Sequence, residues 1–173
     1  MTDHFTHPDT RAEDSGPLRH PSAGFTVTKL FDDLPCTHRS WAHDGKCAFL
    51  HGYERSFEIE FGCTELEPKT GFVVDFGDLK EVRALLQRQF DHTTLIAADD
   101  PYRDLFEELG RSGVIDLRIM DHTGMEGAAA WVHDQVNRLV HNRTVGRVCV
   151  LRVVARESRK NAVVFRADVR EPR

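Results

Sequence analysis

Residues 56–63 read SFEIEFGC and alternate apolar and polar side chains without a break. Phe57, Ile59 and Phe61 fall on one face, so the pattern predicts a β-strand with one buried side. Residues 25–31 alternate in the same way and predict an earlier strand. Strands that follow each other in sequence can pair as an antiparallel hairpin. We therefore expect a sheet with one face covered by a second layer of structure.

Two segments with helical periodicity supply that layer. Asp78 is the predicted N-cap of the first helix, and residues 126–140 form the second. Residues 147–156 and 161–169 are rich in β-branched side chains and predict two more strands, while the long connection at residues 99–122 carries a short helix. The order ββααββ predicts an α+β fold, with an antiparallel four-stranded sheet and two helices on one face. The two open edges of such a sheet favour association between subunits.

The composition of the 173-residue chain predicts its domain organisation and argues against nucleic-acid and membrane partners. Residues 1–23 contain three prolines and almost no aliphatic side chains, which predicts a disordered lead before a single domain at residues 24–173. The net charge is −5 and the arginines are scattered, so we expect no nucleic-acid partner. The chain has no long apolar run and no signal pattern, so we expect no membrane partner and a cytoplasmic location.

Three short segments at the ends of predicted elements concentrate reactive side chains: residues 36–39 (CTHR), 46–53 (KCAFLHGY) and 91–95 (DHTTL). His38 and His51 lie at the ends of neighbouring strands, where two imidazoles could converge on zinc. Each histidine alone is more often a surface or structural residue than a ligand. The spacing indicates no third ligand clearly, although His43 is a candidate.

Cys47 follows Lys46, and a neighbouring cation favours the reactive thiolate. The alternative is a small buried hydrophobic residue. Asp91 and His92 are adjacent, and a carboxylate beside an imidazole can orient it for acid–base chemistry. The alternative for this pair is an ordinary helix C-terminus, where a histidine suits the helix dipole.

Taken in order, these segments resemble the 6-pyruvoyl-tetrahydropterin synthase / 6-carboxytetrahydropterin synthase family. That family carries A-A-H-R-L, then C-x-x-x-H-G-H, G-x-[VI]-x-D-F-x-x-L-K, L-D-H-x-x-L-N and a late glutamate. The matching segments here are CTHRS (36–40), CAFLHGY (47–53), GFVVDFGDLK (71–80), FDHTTL (90–95) and Glu157 in VVARES. The resemblance covers most of the chain, and GFVVDFGDLK is its most specific part.

The resemblance implies a T-fold, in which subunits join their sheets into barrels and form a homohexamer of two trimers with active sites at the interfaces. It also implies a zinc-dependent lyase that acts on 7,8-dihydroneopterin triphosphate. The product would be 6-carboxytetrahydropterin, on the route to queuosine and other 7-deazapurines, or 6-pyruvoyl-tetrahydropterin. We favour the first product. Two alternatives are a divergent T-fold enzyme acting on another pterin or purine with an altered metal site, and a non-catalytic pterin-binding protein.

The resemblance also implies roles for individual residues. Cys47 resembles the general base, with Asp91 and His92 as its partners in proton transfer. Glu157 resembles the anchor of the pterin ring, because a carboxylate can accept two N–H bonds from the guanidine-like edge. Glu126 is expected to be a second ring contact.

The implied zinc ligands are His38, His51 and Tyr53, and here the chain departs from the family pattern. The motif H-G-H is H-G-Y in this sequence, so the third ligand falls on Tyr53. A tyrosine is a reluctant ligand because its ordinary pKa is about 10. His43 or His122 are alternative third ligands, and a site without metal is a further alternative.

Overall fold

The computed structural model describes residues 24–167. The predicted disordered lead at residues 1–23 and the end of the last predicted strand lie outside the described residues. Within residues 24–167, no helix is both long enough and apolar enough to cross a membrane.

The described part of the chain forms six strands in one sheet, with three α-helices. The strands are β1 (Phe25–His38), β2 (His51–Cys63), β3 (Thr93–Ala97), β4 (Leu117–Met120), β5 (Cys149–Arg156) and β6 (Ala162–Arg166). The helices are α1 (Lys80–Phe90), α2 (Arg103–Arg111) and α3 (Met125–Arg143), and a 3-10 turn spans Lys46–Ala48. The order across the sheet is β4-β3-β1-β2-β5-β6.

The expected four-stranded antiparallel sheet is therefore wrong, although the α+β class, the two helices α1 and α3, and a short helix within residues 99–122 are all present. β3 pairs with β1 in parallel, and β4 pairs with β3 in parallel, which makes the sheet mixed. All five residues of β3 are buried, so the strand has no alternation by which it could be recognised. The connection at residues 99–122 contains α2 and β4, since a parallel pair needs a crossover between its strands.

β1 and β2 are both longer than the sequence pattern indicated. The register between them shifts between Phe31 and Leu34, and Asp33 adopts the left-handed region at φ 59°. This bulge interrupts the alternation of β1, and for that reason the strand predicted at residues 25–31 ends too early. The strand instead continues through a second stretch whose inward side chains include Leu34, Cys36 and His38.

α1 and α3 pack on one face of the sheet and complete the core. α1 begins at Lys80 without a side-chain cap, so Asp78 is not its N-cap; the Asp78 N–H bonds instead to the Asp75 carbonyl. Phe90 at the end of α1 lies 4.9 Å from Phe57 and 5.5 Å from Trp131 between ring centroids. These rings join the sheet, α1 and α3 in one aromatic cluster.

We predict that Phe90→Ala lowers the free energy of unfolding by about 3–5 kcal/mol, because it removes a fully buried ring that contacts two others. Urea unfolding followed by circular dichroism measures the change. Leu105→Ala in α2 is the control, since Leu105 is about half exposed and its truncation should cost much less. Equal losses in the two variants would contradict this description of the core.

Candidate functional site

The pairing of β1 with β2 brings three predicted metal ligands together. His38 is directly opposite His51 in the register, and Tyr53 is two residues further along β2. Ring centroids are 4.4 Å apart for His38 and His51, 5.5 Å for His51 and Tyr53, and 6.3 Å for His38 and Tyr53. We call these three side chains the imidazole–phenol cluster.

Each histidine of this cluster has one nitrogen that is not committed as a donor. The Nδ1 of His51 lies 2.7 Å from the Phe49 carbonyl, which only accepts, so the proton is on Nδ1 and Nε2 keeps its lone pair. The Nε2 of His38 lies 3.3 Å from Glu157 Oε1, while its buried Nδ1 has no hydrogen-bond partner among the described residues. Both arrangements resemble the way metal-binding histidines are oriented by a second contact.

The electrostatic surroundings keep His38 neutral. Its side chain is buried, and burial, the Arg55 guanidinium and His51 together lower its pKa to about 3. A neutral imidazole at physiological pH can act as a ligand without first losing a proton.

These donors fit a metal only if Tyr53 takes part. Within residues 24–167, no group of three or more histidine, cysteine, aspartate or glutamate side chains is arranged to hold a metal ion. His43 lies in the turn after β1, where its Nδ1 accepts the Gly45 N–H at 2.8 Å, and His122 is exposed before α3. Two imidazole nitrogens and a phenol oxygen are therefore the donor set, and the unpartnered Nδ1 of His38 agrees with it.

Glu157 lies beside the imidazole–phenol cluster, although it is far from those residues in sequence. It follows β5, and its Oε1 lies 3.3 Å from His38 Nε2 and 3.5 Å from Arg55 Nη2. The side chain keeps a 22% exposed surface, so the carboxylate faces both the cluster and solvent. The predicted ring anchor and the predicted metal ligands therefore share one site.

The sequence did not assign Arg55 to this site. It is 1% exposed, and its Nη2 donates to the Thr123 carbonyl at 2.8 Å as well as approaching Glu157. A signal was present, because Arg55 precedes Phe57 by two residues and so falls on the buried face of the strand pattern. A charged residue on that face needs partners, and these are the residues around it.

The start of α3 borders the same site. The Thr123 hydroxyl donates to the Arg39 carbonyl at 2.6 Å, which ties the residues before α3 to the end of β1. Glu126 lies in the first turn of α3 and is exposed. The structure thus places Glu126 near this border, without a hydrogen bond or ion pair to Glu157.

The predicted acid–base residues are only partly brought together. Asp91 Oδ1 lies 2.5 Å from His92 Nδ1, so that pair is formed. Cys47 is exposed in the 3-10 turn, and within residues 24–167 no hydrogen bond or ion pair connects it to Asp91 or His92. Within one chain the thiol is therefore not hydrogen-bonded to the pair.

A cavity of about 480 Å³ is lined by residues of β1, β2 and β3, and its lining does not include His38, His51 or Glu157. Tyr53 and His92 both line it, and Cys36, Thr37, Thr93 and Thr94 from β1 and β3 form part of its wall. This volume suits a small heterocyclic ligand, since such pockets span about 300–1,000 Å³.

Comparison with known proteins agrees with the ordered motifs. Proteins named 6-carboxy-5,6,7,8-tetrahydropterin synthase are similar over part of the chain. The protein from Rickettsia felis is 38% identical over 64 residues, which are 36% of this chain and 46% of that protein. The one from Rickettsia bellii is 30% identical over 90 residues, 51% of this chain and 56% of that protein. The chain thus spans about half the length of the curated relatives it matches.

Solved structures resemble the fold over most of the chain. 6-Pyruvoyltetrahydropterin synthase of Plasmodium vivax has a TM-score of 0.58 at 17% identity, covering 82% of this chain and 97% of that one. The enzyme of Caenorhabditis elegans has a TM-score of 0.55 at 19% identity, covering 84% and 98%. An uncharacterised protein of Wolinella succinogenes has a TM-score of 0.69 at 17% identity, covering 83% and 98%. The family model described as 6-pyruvoyl tetrahydropterin synthase matches residues 26–168, and the chain therefore belongs to that family.

Proposed function

We propose that the protein is a lyase that converts 7,8-dihydroneopterin triphosphate to 6-carboxytetrahydropterin. The observation that carries this proposal is the position of Glu157, whose carboxylate lies 3.3 Å from a histidine of the imidazole–phenol cluster. With Glu157 beside the cluster, the carboxylate could hold the ring of a pterin while the side chain of the pterin reaches the proposed metal ligands. The relatives named 6-carboxy-5,6,7,8-tetrahydropterin synthase favour this product over 6-pyruvoyl-tetrahydropterin.

Glu157 would bind the substrate through the two adjacent N–H groups of the pterin ring. The charged hydrogen bonds of a carboxylate are stronger than neutral ones and fix the orientation of the ring. The Arg55 guanidinium lies 3.5 Å from the Glu157 carboxylate and balances its charge, so the site does not bury an unpaired charge. Glu126 at the start of α3 is our candidate for a further ring contact.

His38, His51 and Tyr53 are the residues that would hold zinc. Bound zinc would act as a Lewis acid that polarises the hydroxyl oxygens of the substrate side chain. The chain contributes the neutral imidazole of His38, the imidazole of His51, whose Nδ1 bonds to the Phe49 carbonyl, and the phenol of Tyr53, which lines the cavity. Tyr53 also favours a second candidate function, in which a related enzyme acts on another pterin or purine with a weak metal site or none.

Cys47 is our candidate for the general base that removes a proton from the substrate side chain. Asp91 would orient His92, which passes the proton onward. Since one chain does not bring Cys47 to this pair, we propose that subunits complete the site in a homohexamer of two trimers. A non-catalytic pterin-binding protein would not need this assembly.

We predict that the purified protein converts 7,8-dihydroneopterin triphosphate to a tetrahydropterin, and that Cys47→Ala lowers kcat by at least about a hundredfold. Loss of the base slows proton removal while the ring anchor stays in place, so substrate affinity should change little. Chromatography of the pterin products measures both the product and the rate. Cys149→Ala, at a buried cysteine of β5, is the matched control and should keep its activity.

Several results would count against the lyase. Full activity in Cys47→Ala would remove the thiol from the mechanism. Conversion by metal-free wild-type protein would support the divergent enzyme instead. Tight pterin binding without turnover would support the non-catalytic protein.

We predict that wild-type protein binds zinc and that His38→Ala and His51→Ala each abolish stoichiometric binding. Tyr53→His should tighten binding by about tenfold or more, because imidazole is a better zinc ligand than a neutral phenol. Competition with a chromophoric chelator measures these affinities. His43→Ala and His122→Ala are the controls, and a loss of zinc in either would transfer the third ligand to that residue.

We predict a hexamer of a 19.7 kDa chain, with a mass of about 118 kDa by multi-angle light scattering. Mixing Cys47→Ala with His92→Ala subunits should restore part of the activity that each variant lacks, because some interfaces then combine an intact thiol with an intact pair. A monomeric protein that is fully active would contradict the shared site.

A further inference from the structure

Cys47 lies in the loop of residues 39–50 that joins β1 to β2, which we call the Cys47 loop. The Ser40 N–H donates to the Cys47 carbonyl at 2.8 Å and closes the base of this loop. Other backbone N–H groups donate within the loop as well: His43 to Ser40, Ala48 to Gly45 and Phe49 to Lys46. These bonds shape the loop, whereas its position on the sheet depends on contacts with other elements.

The segment that follows β3 contacts the start of the Cys47 loop. Trp41 Nε1 donates to Asp99 Oδ1 at 3.0 Å, although the two residues are far apart in sequence. Trp41 follows Ser40 directly, so the bond to Asp99 holds the chain next to the N–H that reaches the Cys47 carbonyl. The contact therefore links Asp99 to Cys47 through two hydrogen bonds, one at the indole and one at the Ser40 amide.

Asp100 gives this contact a rigid support. Its side chain has 0% exposed surface, and its Oδ2 lies 3.3 Å from the Nε of Arg39. Its Oδ1 accepts the Tyr102 N–H at 2.9 Å, and the Arg39 guanidinium carbon lies 5.5 Å from the Tyr102 ring centroid. Breaking a buried ion pair is costly, so Asp100 and Arg39 fix the two segments against each other. The carboxylate of Asp99 is therefore presented from a fixed backbone.

We propose that Asp99 is a positioning residue for Cys47, which acts by holding the Trp41 indole and with it the loop that carries the thiol. The inference rests on the proposed lyase function, in which Cys47 is the general base, and it gives a role to the connection between β3 and β4. A general base works only within hydrogen-bond reach of the proton that it removes. Since a small misplacement of such a group slows a reaction markedly, a tether on this loop affects the rate.

Two other roles for Asp99 make different predictions. A support for folding would be weak, because Asp99 is exposed and neither Asp99 nor Trp41 belongs to the hydrophobic core. A charged catalytic group would need its charge, whereas accepting from an indole N–H needs only an oxygen lone pair. Variants at position 99 that keep or remove the oxygen therefore separate these roles.

The kinetic test removes either end of the tether. Asp99→Ala removes the acceptor, and Trp41→Phe keeps an aromatic ring without the N–H. Each should lower kcat on 7,8-dihydroneopterin triphosphate by about two- to tenfold, the factor that corresponds to one hydrogen bond, with KM unchanged. The double variant should lose no more than either single variant, because both break the same bond. Asp99→Asn keeps an acceptor oxygen and should retain the wild-type kcat, as should the control Asp104→Ala in the first turn of α2.

Hydrogen exchange measured by mass spectrometry tests the positioning without turnover. Peptides that cover residues 39–49 should exchange about two- to tenfold faster in Asp99→Ala and Trp41→Phe than in wild-type protein, because the loop opens more often. Peptides that cover β5 are the internal reference and should not change. Wild-type exchange in the loop peptides of both variants would overturn the inference.

The kinetic and unfolding measurements provide further ways to overturn it. Losses of kcat that add in the double variant would show that Asp99 and Trp41 act separately. A loss in Asp99→Asn equal to that in Asp99→Ala would make the charge the cause instead of the tether. Unfolding midpoints that fall together with kcat would make the contact structural. Wild-type protein that forms no product would reject the proposed function, and the exchange comparison would still decide whether Asp99 holds the loop.

Discussion

The antiparallel ladder between β1 and β2 is the interaction on which the rest of the site depends. Its register places His38 opposite His51 only because one extra residue of β1 is absorbed between Phe31 and Leu34. A one-residue slip in such a ladder would turn His38 to the other face of the sheet. The bulge therefore does more than bend the strand, since it sets which side chains reach the helix-covered face.

The contacts of the Glu157 carboxylate then hold the side chains of the site in place. Glu157 Oε1 lies between the His38 imidazole and the Arg55 guanidinium, and both of those side chains are almost fully buried. The pKa of Arg55 is lowered by burial, and Cys36 and Glu157 act in the opposite direction. Removing the carboxylate would leave a buried cation without its counter-charge, so the site and the fold are coupled through this residue.

Sequence reasoning identified the parts of this structure that carry a repeating pattern or a specific motif. The alternation of β2 and the apolar stripes of α1 and α3 gave those elements correctly, and the ordered motifs gave the family. β3 was missed because all five of its residues are buried and show no alternation, and β4 was missed because four residues are too few to show a pattern. Arg55 was missed because a charged residue in a strand is normally expected to be exposed. Its burial becomes evident only when the buried face of β2 is followed two residues back from Phe57.

The structure brings some of the predicted site residues together and leaves others without a contact. His38, His51, Tyr53 and Glu157 meet in space, and Asp91 bonds to His92, although each was proposed mainly from its place in a motif. The exposed position of Cys47 in the 3-10 turn, without a hydrogen bond to that pair, could not follow from the sequence, because a motif gives the order of residues and not their contacts.

β2 extends past the end of its outer neighbour. The first residue of β2 that pairs with β5 is Ser56, so His51 and Tyr53 stand on a strand segment supported by β1 alone. The residues that we propose as metal ligands lie on this segment, whereas Phe57, Ile59 and Phe61 belong to the hydrophobic core. The tyrosine at position 53, where the family motif has histidine, is therefore a change outside the hydrophobic core, on a part of β2 that does not hold the sheet to α1 and α3.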